Sequence, residues 1–215
     1  MTFFQPFSIP FDPIGQPEAV VSVSHGRFTI LTPRLIRLEY SPTNEFVDRP
    51  SQAFWYRRQP VPDYDVVLTD GRLTLSTAYL QLTYVASPAG FTADTLSVTL
   101  KSSGATWRFD EADALNLLGT ARTLDNIDGA LGLEPGLMSR SGWSVYDDTD
   151  RLVFNGDGWL EPRRAPIGYR DLYFFGYGQD FTAALQEFAQ VAGPVPLIPR
   201  WALGNWWSRF WAYSA

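Results

Sequence analysis

The sequence predicts a mainly-β chain, a β-sandwich followed by one short helix, and three observations carry that prediction. Apolar and polar residues alternate with a period of two over much of the 215 residues. The alternating runs are short and are separated by Gly, Pro, Asp and Ser, the residues of turns. One segment alone, Asp180 to Gly193, repeats its apolar residues at helical spacing.

Taken in order, "RFTILTPRLIRLEY" offers two strands around Pro33, which supplies no ladder donor. In "GRLTLSTAYLQLTY", Leu73 and Leu75, then Leu80, Leu82 and Tyr84, fall at alternate positions and predict two more. "LSVTLKSSGATWRFD" reads as a hairpin: Leu96, Val98 and Leu100 on one arm, "KSSGA" as the turn, Trp107 and Phe109 on the other. "GWSVYDDTDRLVF" reads as a further hairpin around "DDTD". In "DFTAALQEFAQVAG", Phe181, Ala184, Leu185, Phe188 and Val191 share one helical face. Asp180 stands where an N-cap belongs and Gly193 suits the C-terminal cap. "PVPLIP" follows as an extended connector, the most plausible domain boundary, and "RWALGNWW" then reads as a buried strand. Between the hairpins lies "NLLGTARTLDNIDGALGLEPGLMSRSG", Gly-rich and without clear period. Loops of that length in compact domains are commonly functional or disordered.

Composition narrows the chemistry. The formal net charge is −6 and no Lys/Arg-rich run exists, which argues against a nucleic-acid partner. Cysteine is absent and His25 is the single histidine, which removes thiolate sites and His-based zinc sites. There is no Gly-rich phosphate loop and no G-x-S-x-G elbow, and nothing calls for a cofactor. No run of apolar residues is long enough to span a membrane. The N-terminus lacks a basic start and its apolar residues are broken by prolines, so a cytoplasmic location is the expectation. Aromatic residues reach 15%. Flat rings serve sugar and base binding, although β-sheet cores favour them too.

Three clusters could carry chemistry. In "TLDNIDG", Asp125 and Asp128 could accept hydrogen bonds from sugar hydroxyls; the ordinary alternative is a turn ending in Gly129. "DDTD" and "NGDG" could offer oxygens to calcium, but their spacing does not match the EF-hand loop, and solvated hairpin turns explain them better. In "NWWSRFWAYS", Arg209 beside Trp207, Phe210 and Trp211 could line a sugar pocket, or could simply pack in a core. A mutarotase would also use a sandwich, but is expected to need more than one histidine.

"LGTARTLDNIDGALGLEPGLMSRSGWSVYDDTDRLVF" and "DLYFFGYGQDFTAALQEFAQVAGPVPLIPRWALGNWWSRFWAYS" together resemble glycoside hydrolase family 31, which contains α-glucosidases and α-xylosidases. The resemblance is strongest from Leu118 onward and looser through "RLIRLEYS" and "DRPSQAFWYR". It implies a galactose-mutarotase-like β-sandwich over residues 1–193. Residues 194–215 would then be the linker and first strand of a truncated (β/α)8 catalytic barrel. It implies retaining hydrolysis of α-glucosides or α-xylosides by two aspartates on later barrel strands. Only 17 residues run from Pro199 to Ala215, against about 250 for a whole barrel. The catalytic pair is therefore expected beyond this chain, which alone should be inactive, with the missing barrel as its intramolecular partner.

The resemblance carries only binding positions onto this sequence. Asp128 matches the sandwich loop aspartate that meets the sugar, with Asp125 as rival. Phe210 or Trp211 matches the ring after the first barrel strand, beside Arg209. The expected partner is thus a carbohydrate, with no metal. The rival readings are a non-catalytic carbohydrate-binding sandwich and a truncated chain without function of its own.

Overall fold

Strands form at the predicted runs between residues 27 and 154, and at four further places that the sequence reading leaves out. A computed structural model describes residues 10–121, 123, 125–195 and 197–205. Its strands are β1 (Val20–Val23), β2 (Gly26–Thr32), β3 (Leu35–Tyr40), β4 (Tyr64–Thr69), β5 (Arg72–Thr77) and β6 (Leu80–Val85). Then come β7 (Leu96–Leu100), β8 (Thr106–Arg108), β9 (Ser144–Asp147), β10 (Val153–Phe154), β11 (Leu160–Glu161) and β12 (Arg170–Phe175), and the helix α1 (Phe181–Ala192). One five-stranded sheet has the order β1-β2-β3-β12-β9, and the other is the meander β4-β5-β6-β7-β8; every pairing is antiparallel.

The two sheets face each other across one apolar core. Phe28, Ile30, Ile36, Leu38, Leu172 and Phe174 of the first sheet meet Leu73, Leu75, Leu80, Leu82, Tyr84, Val98 and Trp107 of the second. This is the β-sandwich that the alternation predicts. The opposite face of the first sheet is covered as well. Leu31, Leu35, Tyr173 and Phe175 pack there with Phe54 and with Ala184 and Val191 of α1. The helix is capped as expected: the Asp180 carboxylate accepts from the Ala183 amide at 3.1 Å, and Gly193 takes φ 100°. Leu185 does not join the covering face and stays exposed; that face includes Ala183, Ala184, Phe188 and Val191.

Two expectations change. Residues 142–154 do not form a hairpin: β9 pairs with β12, and β10 pairs with β11. Asp148 turns into the interior to meet arginines, which carries the chain away from β9 before it could fold back. Arg200–Leu203, expected in a strand, form one 3-10 turn. No strand ladder among the described residues includes them, and an extended strand needs such a ladder for its backbone groups. The remainder of that expected strand, Trp206 onward, lies outside the described residues.

Candidate functional site

The long loop from Asp113 to Gly142 joins the second sheet to the first and carries both sequence-predicted aspartates. Asp125 and Asp128 are exposed and sit on one turn. The Asp125 amide donates to the Thr123 hydroxyl at 3.0 Å, and Asn126 and Gly129 take left-handed φ of 58° and 95°. The turn predicted as the ordinary alternative is therefore present, and it presents both carboxylates to solvent. Arg209, Phe210 and Trp211 lie outside the described residues.

The returning arm of this loop walls an open cleft of ≈ 880 Å³. Glu134 and Pro135 form one side; Tyr146 and Asp147 of β9, with Asp150 and Arg151 after it, form the other. The Arg151 guanidinium stands 5.8 Å from the centre of the Tyr146 ring. A ring, carboxylates and a guanidinium at one opening can take a polyol: the ring covers C–H faces and the carboxylates accept from hydroxyls. Asp147 and Asp150 come from "DDTD", so half of that cluster is solvated as expected, while Asp148 is fully buried. Successive strand residues point to opposite sides, which separates Asp147 from Asp148.

Asp148 belongs to a buried charge network that the sequence did not reveal. On β3, Arg37 bonds Asp171 of β12 twice, at 2.8 and 2.7 Å, and lies 3.0 Å from Glu39. Arg27 of β2 holds Glu39 through two 2.8 Å bonds and also bonds Asp48. Arg163 bridges Asp171 and Asp148 at 2.7 and 2.6 Å. Arg57 donates to the Tyr173 hydroxyl at 2.6 Å, and Tyr173 stacks on Phe54. Burial acts to raise Asp171, but Arg37 and then Arg163 override it and hold this carboxylate below its usual range. Asp148 is pushed up to about 6, first by burial and then by the charge of Asp171. Asp148 Oδ1 and Arg57 Nη2 have no hydrogen-bond partner among the described residues. Chemically this network holds loops against the sheet. Arg37, Glu39, Arg57, Asp148, Arg163 and Asp171 are covered, whereas Asp147 and Asp150 of the cleft are exposed and Tyr146, edge-on to Phe54, is half-buried.

Among the described residues, no group of three or more His, Cys, Asp or Glu is placed to hold a metal ion, and no helix is long and apolar enough to cross a membrane.

A GH31 (glycoside hydrolase family 31) dextranase from Flavobacterium johnsoniae, complexed with isomaltotriose, matches 86% of this chain with a TM-score of 0.52 and 14% identity. The two chains share a fold. This chain spans 28% of the dextranase's length. The same dextranase complexed with glucose matches with a TM-score of 0.48, 13% identity and the same coverage, 86% of this chain and 28% of that one. A GH31 α-xylosidase from Xanthomonas citri matches with a TM-score of 0.34 and 13% identity, over 72% of this chain and 14% of its own. No protein-family model and no curated protein matches the chain. The GH31-like fold thus agrees with the resemblance read from the loop, strand and helix motifs, and the part of those motifs that ends at Gly193 falls on the 113–142 loop, β9, β10, β12 and α1.

Proposed function

We propose that this chain is the front of a retaining α-glycosidase acting on α-glucosides or α-xylosides. Residues 1–193 are its sandwich, and 194–215 are the link and the opening of its catalytic barrel. The observation that carries this reading is the state of the link. Val195 and Leu197 are 90% and 101% exposed, and Ile198 and Leu203 are exposed too. Leu115, Leu117, Leu118, Leu131 and Leu133 on the long loop are exposed as well. Apolar surface of that extent marks a docking face, and a barrel would supply its cover. Asp125 or Asp128 then accepts from a sugar hydroxyl, with Arg209, Phe210 and Trp211 as the facing wall. The attacking and protonating carboxylates belong to the barrel.

Reading the coding sequence past Ala215 tests this. A frame that continues into a barrel with two facing aspartates is expected, together with no turnover of p-nitrophenyl α-glucoside by residues 1–215 alone. A stop codon directly after Ala215 overturns the hydrolase reading. The open cleft at Tyr146 favours a second reading, a non-catalytic carbohydrate-binding sandwich. Saturable binding of isomaltotriose by the 215-residue chain, lost in Tyr146→Ala, would establish it.

A further inference from the structure

The base of the 113–142 loop is held by a dense set of hydrogen bonds. Asp113 is the centre. Its Oδ1 accepts from the Leu115 amide at 3.2 Å, the Ser139 hydroxyl at 2.9 Å and the Ser141 hydroxyl at 2.8 Å. Its Oδ2 accepts from Asn116 Nδ2 at 3.1 Å. Asn116 then ties the two arms: Oδ1 accepts from the Leu118 and Gly136 amides at 2.8 and 2.7 Å, and Nδ2 donates to the Gly136 carbonyl at 3.0 Å. Backbone bonds complete the neck, from the Leu117 amide to Met138 O, Gly119 to Glu134 O, and Arg140 to Leu115 O, at 2.7 to 3.0 Å.

Two backbone features show how close the arms come. A Cβ on Gly136 would run into the Leu118 carbonyl, so no other residue fits without moving the crossing. Leu118 itself takes φ 63°, a conformation that costs a non-glycine residue energy and persists only where surroundings impose it. Ser139 is buried, which fixes the lower arm to the sandwich, while the described residues of the tip between Thr120 and Leu133 are exposed except at Ala121. A rigid neck under an exposed tip sets direction without contributing to the core.

We propose that Asp113 and Asn116, with Ser139, Ser141 and Gly136, form the positioning element that aims the aspartate-bearing tip. The neck stands on its own geometry; that the tip faces a sugar rests on the function proposed above. Asp113 touches no reacting atom and acts through Asp125 and Asp128.

Hydrogen exchange on the 215-residue chain tests the neck directly. In Asp113→Ala, the amides of Leu117, Gly119, Gly136 and Arg140 should exchange about tenfold or more faster, because a multiply bonded carboxylate is lost. Amides of β5, β6 and β7 should be unchanged. Asp113→Asn, which keeps three of the four accepted bonds, should fall between wild type and Asp113→Ala. Unchanged neck exchange, or a rise that spreads equally into β5–β7, overturns the proposal. The sugar arm is separate. In the protein joined to its barrel, Asp113→Ala should lower kcat/KM for p-nitrophenyl α-glucoside by about 10- to 100-fold, mostly through KM, and Asp113→Asn should restore part of it. A neck that opens with kcat/KM unmoved overturns the sugar-facing reading and leaves the neck in place.

Discussion

The two sheets of the sandwich use the same alternation to opposite ends. In the β4–β8 sheet the outward positions are partly solvated, as at Thr74 and Ser76 on β5 and Ser97 and Thr99 on β7. In the other sheet both sides are covered. Every residue of β3 is buried, including Arg37 and Glu39. The β4–β8 sheet buries one apolar face. The second covered face of the other sheet is built from Leu35, Tyr173 and Phe175 with Phe54 and α1, and from ion pairs. The difference teaches that a polar residue on a strand reports which side it lies on, not whether water reaches that side.

Breaking the charged face should have the largest effect. Arg37→Met leaves Asp171 and Glu39 each short of one cation in the interior, and urea unfolding should show a loss of about 3–5 kcal/mol. Breaking the apolar face comes next. Leu82→Ala should cost about 2–5 kcal/mol, while Thr74→Ala on the solvated side should stay within about 0.5 kcal/mol. A cost for Thr74→Ala as large as that for Leu82→Ala would erase the contrast between the sheets.

The pH dependence sharpens the comparison because the covered face holds two carboxylates shifted in opposite directions. Asp148 binds its proton more readily folded than unfolded, so its contribution to stability rises as pH falls from about 6 to about 4. Asp171 is held low by its arginines, so its contribution is present above about pH 4 and is lost as pH falls further. Urea midpoints across this range should show the first rise disappear in Asp148→Asn. The smallest effect lies at the helix, where Asp180→Ala removes the cap and should cost about 1 kcal/mol by the same measurement.

Much of the architecture was legible. Leu73, Leu75, Leu80, Leu82, Leu96 and Val98 mark the second sheet by spacing alone, and Asp180 with Gly193 bounds α1. The β9–β12 pairing was not legible, because Tyr146 and Tyr173 are adjacent in space but distant in sequence. The buried network was hidden for the same reason. Neither "RLE" nor "RDL" shows its partner until the two strands are laid side by side, where Glu39 meets Asp171 in register. Opposite charges on neighbouring central strands were the available signal. At the candidate site, Asn126 and Gly129 revealed the turn under Asp125 and Asp128. Asp113 and Asn116 gave no such sign, since their partners lie up to 28 residues away.

The placement of β12 sets the order in which the molecule can be made. The Arg37–Asp171 pair spans 134 residues, whereas the β4–β8 meander pairs only with its own neighbours. On a ribosome adding about 5–20 residues per second, β3 waits on the order of ten seconds for the strand that completes its edge. Meanwhile Glu39 already has Arg27 of β2 beside it and Arg37 waits for Asp171; an uncompensated charge on an open edge disfavours pairing with the wrong chain.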